Sequence, residues 1–230
     1  MTDTRPKIIL FDIDGTLISA HGAGGRAFKR ALRDLVGPDV ELELTFAGGT
    51  DLGIARQGLE CAGVEVSKEV VDRVLDTYVE YLVDTMREAT EYTVFSGVVE
   101  LLDELSRRDG LAVGLGTGNI ERGARIKLAR GGLNDYFDFG GFGCDAEERA
   151  ELIRAGATRG AARLGMSLDQ CRVLVIGDTT RDVAAARAIG AECLGVATGG
   201  ASRDELEACG ATACVTDLTD PSVLDIVLGH

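Results

Sequence analysis

Short apolar segments, each followed by a polar, glycine-rich turn, constrain the fold of this chain more than any other feature of its sequence. An uninterrupted apolar run is typical of a strand that is buried on both faces. The clearest strands are predicted at 7–11, 111–115, 172–176 and 193–197, with weaker candidates at 137–142 and 212–215. Helical patterns separate these segments, and the alternation predicts an α/β fold with a parallel sheet.

The stretch from 17 to 92 interrupts this alternation, because it contains no convincing strand. Its predicted elements are helices at 23–36, 51–62 and 67–88. Apolar residues recur in the first helix at the spacing of a single helix face, which is typical of a helix packed on one side. We therefore predict a core domain formed by residues 1–16 and 93–230, with residues 17–92 inserted as a helical cap.

The formal net charge of −14 limits the partners that the protein can bind. A surface of this sign repels nucleic acids and anionic lipids. No apolar run approaches the roughly 18 residues of a membrane span, and the first residues lack the apolar core of a signal peptide. We therefore expect a cytoplasmic protein whose partner is a small molecule, with neither nucleic acid nor membrane among its ligands.

Two of the predicted strands are followed by pairs of aspartates. Asp12 and Asp14 follow the first strand, and residues two apart in an extended chain point to the same side. Asp178 follows the strand at 172–176, and Asp182 lies one helical turn later. Strand ends of this kind meet at one edge of a parallel sheet, where four carboxylates repel one another unless a cation lies between them. Oxygen ligands alone favour a hard ion, and Mg²⁺ fits best.

The turn after the strand at 111–115 predicts an anion site. Thr117, Gly118 and Asn119 open a helical pattern, where a hydroxyl group and successive backbone N–H groups can hold a phosphate. The segment has neither the lysine of a Walker loop nor the spacing of a dinucleotide-binding fingerprint. Each turn alone is also compatible with an ordinary strand end or helix cap. Together they indicate carboxylates, a cation and a phosphate in one site.

The ordered set of motifs resembles the haloacid dehalogenase superfamily of phosphohydrolases over essentially the whole chain. Asp12 to Thr16 reads Asp-x-Asp-Gly-Thr, Thr117 matches the second motif, and Asp178 with Asp182 matches Gly-Asp-x-x-x-Asp. The resemblance implies a Rossmann-like core with a helical cap inserted after the first strand. It also implies a Mg²⁺-dependent phosphatase of the phosphoglycolate phosphatase-like kind, acting on phosphoglycolate or a sugar phosphate.

The resemblance and the chemistry of the side chains together suggest a role for each residue. Asp12 would attack phosphorus and form an aspartyl-phosphate, while Asp14 would protonate the leaving oxygen and then accept a proton from water. Thr117 and the N–H groups of Gly118 and Asn119 would hold the phosphoryl oxygens. The expected Mg²⁺ ligands are Asp12, the main-chain carbonyl of Asp14 and Asp178, with Asp182 acting through water or from behind.

The family's third motif, usually a lysine before a proline, is absent from residues 144–151. Arg149 is the best positional match, with Arg154 and Arg159 as rivals on the same predicted helix. A fixed cation is needed to offset phosphoryl charge beside four carboxylates, and arginine can supply it through two parallel hydrogen bonds. We therefore predict a catalytic role for Arg149, against the alternative that it only pairs with neighbouring glutamates.

The cap is expected to close over the leaving group, with a hinge at residues 22–25. Basic residues at 26, 29, 30 and 33 form one helix face opposite the apolar face, which favours a solvated outer surface. The expected substrate contacts in the cap are therefore Gly49 and Thr50, in a glycine-rich turn, and Arg56 in the helix behind it.

Three other functions stay open on the sequence. A sugar-phosphate mutase of the same superfamily would keep both motif-one aspartates and the cap position. A phospho-receiver domain also groups aspartates around Mg²⁺, but such domains are about half this length and have no cap. A catalytically inactive binding module is disfavoured by the complete set of aspartates.

Overall fold

A six-stranded parallel sheet lies at the centre of the computed structural model, which describes residues 5–229. The strands in chain order are β1 (Lys7–Phe11), β2 (Ile18–Ser19), β3 (Thr93–Val94), β4 (Leu111–Gly116), β5 (Gly140–Gly141), β6 (Arg172–Gly177), β7 (Glu192–Val196) and β8 (Ala213–Val215). The sheet has the order β5-β4-β1-β6-β7-β8, whereas β2 and β3 pair as a separate antiparallel ribbon.

Helices cover both faces of the sheet and also build the cap. They are α1 (Ala23–Val36), α2 (Asp51–Cys61), α3 (Lys68–Glu88), α4 (Val98–Ser106), α5 (Glu121–Ala129), α6 (Arg149–Arg163), α7 (Thr180–Ala188), α8 (Arg203–Cys209) and α9 (Val223–Leu228). Helices α1 to α3 pack together around an apolar cluster of their own and correspond to the predicted cap, and the others pack on the sheet. Among residues 5–229, no helix combines the length and apolarity that a bilayer crossing requires.

Alternate residues of β1 face the two layers of helices, as the pleat of a strand requires. Ile9 and Phe11 pack with buried residues of α4, α5 and α9. Ile8 and Leu10 pack with buried residues of α6, α7 and α8. All four side chains lack exposed surface, as expected in the middle of a parallel sheet. The predicted α/β fold is therefore confirmed.

The four clear strand predictions match β1, β4, β6 and β7 to within one residue at each end. The weaker candidates are real but shorter than predicted. In the stretch at 137–142 only Gly140 and Gly141 pair with β4, and the stretch at 212–215 contributes β8. Both short strands lie at the edges of the sheet, where a strand has a single neighbour to pair with.

The cap has an apolar core of its own, formed by the facing sides of α1, α2 and α3. Helices α2 and α3 begin close to the predicted positions because Thr50 and Ser67 each accept a hydrogen bond from a backbone N–H in the first turn. The division of the chain at residues 17 and 93 stays a prediction. Leu17 and Ile18 pack in the core of the sheet domain rather than in that of the cap.

Helix α6 approaches β5 so closely that only glycine fits at the contact. A Cβ atom on Gly141 would lie 1.8 Å from the carbonyl oxygen of Leu152, and one on Gly156 would lie 2.7 Å from the backbone nitrogen of Gly141. Because Arg149 is the first residue of α6, this packing fixes its backbone at the edge of the sheet.

The glycine contact predicts opposite effects for two helical glycine-to-alanine changes. Gly156→Ala should lower the free energy of unfolding by about 1–3 kcal/mol, because backbone atoms must move apart. Gly123→Ala in α5 is the matched control, because its Cβ would meet other side chains at an ordinary 3.6 Å. The higher helix propensity of alanine should raise its free energy of unfolding by at most about 1 kcal/mol. Urea unfolding measures both, and a Gly156→Ala protein as stable as the parent would refute the tight contact.

Candidate active site

The predicted site residues meet at one edge of the sheet. Strand β1 lies between β4 and β6, and its last residue pairs in register with both neighbours. The residues that follow the three strands are therefore close together: Asp12 and Asp14 after β1, Thr117 after β4, and Asp178 after β6. The backbone N–H of Asp12 donates to the carbonyl of Ile176 at 2.9 Å, which ties the turn after β1 to β6.

Three buried carboxylates form a cluster that could hold a cation. Oxygen atoms of Asp12, Asp178 and Asp182 all lie within 4.8 Å of one another. Burial, together with the charges of Asp182 and Asp178, outweighs the nearby Arg149 and raises the pKa of Asp12 to about 7. Burial and Asp182 likewise raise the pKa of Asp178 to about 6. A hard divalent cation would relieve this repulsion, so the oxygen-only cluster fits Mg²⁺.

Asp178 and Asp182 differ in how they face the cavity. Asp178 lines it, and its two oxygens accept hydrogen bonds from the hydroxyl of Thr16 at 3.2 Å and the N–H of Gly200 at 2.5 Å. Asp182 lacks exposed surface, and its Oδ2 accepts from the N–H and hydroxyl groups of Thr179 at 3.0 and 2.6 Å. Its other oxygen is bound by an arginine, so Asp182 lies behind the cavity wall.

That arginine is Arg149. Its Nε donates to Asp182 Oδ1 at 2.8 Å, and its Nη2 lies 2.6 Å from the same oxygen and 3.0 Å from Asp12 Oδ1. Of the three arginines considered on this helix, it is the one at the carboxylates. Arg154 lies 3.7 Å from Glu151, and Arg159 pairs with Asp145. The arrangement therefore places a fixed charge beside Asp12.

The turn after β4 lines the same cavity. The Thr117 hydroxyl accepts hydrogen bonds from the backbone N–H and the side-chain amide of Asn119, at 3.3 and 2.8 Å. Gly118 passes so close to the cap that a Cβ there would lie 2.0 Å from the carbonyl oxygen of Gly49. Helix α5 begins only at Glu121, so these residues form a turn before the helix rather than its first turn.

The structure also brings together two residues that the sequence analysis did not connect. The ammonium group of Lys127 donates to Asp14 Oδ2 and to Asn119 Oδ1, both at 2.6 Å. Burial would raise the pKa of Asp14, but the charge of Lys127 and the hydrogen bonds from Lys127 and Asn119 lower it below its usual range. One feature of the sequence could have pointed to Lys127: at helical spacing it falls on the same face of α5 as the apolar residues Ala124 and Leu128, and this face is buried.

Two of the three expected cap contacts lie outside the cavity of the aspartates. Gly49 lines it, but Thr50 and Arg56 do not. Thr50 caps α2 and donates to the carbonyl of Glu147, while Arg56 pairs with the Glu147 carboxylate at 2.9 Å. Both side chains therefore contact the core at Glu147, two residues before α6: Thr50 through its main-chain carbonyl and Arg56 through its carboxylate.

Basic residues of α1 take the place expected of Arg56. Arg26 and Lys29 line the cavity together with Phe28 and Phe46, although both basic residues are also exposed to solvent. The face of α1 expected to be purely a solvated surface therefore borders the cavity. The cavity has a volume of about 570 Å³ and lies between the aspartates of the core and the phenylalanine rings of the cap.

The sequence model of one protein family, the haloacid dehalogenase-like hydrolases, matches residues 6–190 of the chain. Among curated proteins, the phosphoglycolate phosphatase of Rhodospirillum rubrum is 30% identical over 220 residues, which cover 92% of this chain and 88% of that protein. The probable phosphatase IndB of Dickeya dadantii is 28% identical over 201 residues, or 87% of this chain and 85% of the relative.

Solved structures with the same fold cover nearly the whole chain. A hydrolase from Pseudomonas syringae has a TM-score of 0.68 and 25% identity, covering 94% of this chain and 95% of its own. CbbY from Rhodobacter sphaeroides, solved in complex with phosphate, has a TM-score of 0.72 at 19% identity and covers 96% and 100% of the two chains. At that identity the second match speaks for the fold alone.

The buried ion pairs of Arg149 predict a large effect on stability. In metal-free protein, Arg149→Ala should lower the free energy of unfolding by about 3–5 kcal/mol, since two buried carboxylates lose their partner. Arg154→Ala on the exposed side of α6 is the control and should cost about 0–1 kcal/mol. Chemical denaturation compares the two, and equal losses would contradict the pairing.

Proposed function

The chain is a phosphatase of the haloacid dehalogenase-like hydrolase family, and we propose that it hydrolyses a small phosphomonoester, of the phosphoglycolate or sugar-phosphate type, through a phosphorylated Asp12. One observation carries the proposal: Asp12, Asp14, Thr117 and Arg149 all line a single cavity. Several curated relatives are named phosphoglycolate phosphatase, which supports the choice of substrate. We further propose a cytoplasmic enzyme, in keeping with its net charge of −14.

The phosphoryl group is held against Asp12 by the turn after β4. Thr117 supplies a hydroxyl group, and the backbone N–H groups of Gly118 and Asn119 supply further donors to the phosphoryl oxygens. Arg149, 3.0 Å from Asp12 Oδ1, offsets the negative charge that the substrate brings to the carboxylates. Together they orient phosphorus for in-line attack.

In the first step, a carboxylate oxygen of Asp12 attacks phosphorus while the bond from phosphorus to the ester oxygen breaks. The negative charge of the bound phosphoryl group opposes the lowering of the Asp14 pKa by Lys127. Asp14 then donates a proton to the ester oxygen, and the alcohol leaves. In the second step, Asp14 takes a proton from a water molecule. The water oxygen attacks the phosphorus of the aspartyl-phosphate while the bond from phosphorus to the Asp12 oxygen breaks. Inorganic phosphate is released, and both aspartates return to their starting states.

The cation site is proposed at the carboxylate cluster. Asp12, the main-chain carbonyl of Asp14 and Asp178 would hold Mg²⁺, while Asp182 supports the site from behind, since it lies outside the cavity. When bound, Mg²⁺ would neutralise phosphoryl charge beside the carboxylates. Asp182 instead anchors Arg149 and the start of α7.

Substitutions of Asp12 and of Asp14 are predicted to impair different steps of the reaction. Asp12→Asn should abolish turnover and leave no phosphorylated protein, because the nucleophile is lost. Asp14→Asn should still be phosphorylated, and kcat/KM, which reports the phosphorylation step, should fall about 10²–10⁴-fold for poor leaving groups but much less for nitrophenol. The measurements are inorganic phosphate release from phosphoglycolate, sugar phosphates and aryl phosphates, with mass spectrometry of the protein.

Near-normal turnover by Asp12→Asn in the presence of Mg²⁺ would disprove covalent catalysis. Conversion of a sugar phosphate into its isomer without release of inorganic phosphate would favour the mutase alternative instead.

Metal dependence provides an independent test. Exhaustive chelation should abolish activity, and saturating Mg²⁺ should raise the Tm of the metal-free protein by about 5–10 °C through mass action on the folded state. Asp178→Ala should weaken the Mg²⁺-dependent rise more than Asp182→Ala, because Asp178 lines the cavity. Full activity after chelation and dialysis would refute the assignment, and the reverse order of the two variants would exchange their roles.

A further inference from the structure

Lys127 is a buried cation of the site that the mechanism above leaves unused. Only 5% of the residue is exposed, and its ammonium group ends between Asp14 and Asn119. Among the buried basic residues of 5–229, Lys127 and Arg149 lie at this site. Arg149 contacts the nucleophile, whereas Lys127 contacts the residue proposed as acid and base.

The two carboxylate oxygens of Asp14 differ in their hydrogen bonds. Oδ2 accepts from Lys127 Nζ at 2.6 Å and from Asn119 Nδ2 at 2.9 Å. Within residues 5–229, no donor is hydrogen-bonded to Oδ1. The side chain is 46% exposed and lines the cavity. Anchoring by one oxygen leaves the other to meet the leaving group.

We propose that Lys127 is a positioning residue, which with Asn119 holds the Asp14 carboxylate by Oδ2 and thereby presents Oδ1 to the ester oxygen and to water. The proposal rests on the acid and base role given to Asp14 in the proposed function.

The cap leaves room for Lys127 and adds a nearby charge. A Cβ atom on Gly24 of α1 would lie 3.0 Å from Lys127 Nζ, so the lysine reaches into space that a larger residue would occupy. The carboxylate of Asp51, at the start of α2, acts electrostatically on Lys127 and accepts a hydrogen bond from the N–H of Ile120 at 2.8 Å. Lys127 therefore lies where the cap meets the core, with its hydrogen bonds on the core side.

Lys127→Met is the central variant, because methionine matches the length of the lysine stem without its charge or hydrogen bonds. Arg122→Met is the matched control: Arg122 is also on α5 and pairs with the cap through Asp76, but it is exposed. Each protein is assayed with Mg²⁺ on aryl and alkyl phosphates of graded leaving-group pKa, and kcat and KM are determined separately.

The expected result is a steeper dependence of kcat/KM on the leaving group, because kcat/KM reports the step in which that group leaves. General acid–base catalysis contributes about 10²–10⁴-fold, so Lys127→Met should lose roughly 10–100-fold on alkyl phosphates, far less on nitrophenyl phosphate, and change KM little. Arg122→Met should follow the parent profile. In an Asp14→Asn background, Lys127→Met should cause almost no further loss, because the two residues act as a unit.

Two kinetic outcomes would overturn the proposal. An equal loss of kcat/KM for all leaving groups would mean that Lys127 only supports the fold. A raised KM with unchanged kcat would mean that it binds substrate directly. If Lys127→Met does not fold, Asn119→Ala removes the other anchor of Oδ2 and should steepen the same dependence, and an unchanged slope there would count against the proposal.

A crystal structure of Lys127→Met separates this inference from the proposed function. The Asp14 carboxylate should leave its place beside Asn119, and an unmoved carboxylate would refute positioning by Lys127 whatever the turnover. The proposed function itself fails separately, if the parent protein releases no phosphate or if Asp14→Asn leaves the leaving-group dependence unchanged.

Discussion

The repulsion among buried carboxylates at the ends of β1 and β6 is the constraint on which the rest of the site depends. Burial and mutual charge raise the pKa values of Asp12 and Asp178, so the cluster is costly without a compensating cation. Arg149 supplies a fixed positive charge, which reaches Asp12 because glycines let α6 lie against β5. The close packing of this helix therefore serves the electrostatics of the nucleophile as well as the stability of the core.

The site divides its two buried cations between two tasks. Arg149 pairs with Asp12 and Asp182, so it would share these carboxylates with any bound cation and would attract a phosphoryl group. Lys127 pairs with Asp14. Because a different buried cation pairs with each of Asp12 and Asp14, the charge at Asp12 and the orientation of Asp14 can be set separately. The amide of Asn119 connects the halves, since it binds both Thr117 and Asp14.

The sequence was sufficient to predict the parts of the site that follow strand ends. Parallel strands in register bring such residues together, so Asp12, Thr117 and Asp178 could be grouped without coordinates. Lys127 could not be grouped with them, because a single lysine in a helix carries no turn or glycine signal, and its contact with Asp14 depends on how α5 lies beside β1. The position of Arg56 could not be predicted for a related reason, because its partner is a glutamate 91 residues away.

The cap is hydrogen-bonded to the very turn that would hold the phosphoryl group. The N–H of Asp51 donates to the carbonyl of Gly118 at 2.8 Å, and Arg149 Nη1 donates to the carbonyl of Gly48 at 3.3 Å. If α1 to α3 moved away from the sheet, both bonds would break and Lys127 would be uncovered. The turn at Gly118, the charge beside Asp12 and the anchor of Asp14 would then be disturbed together, because all three depend on the same contact between cap and core.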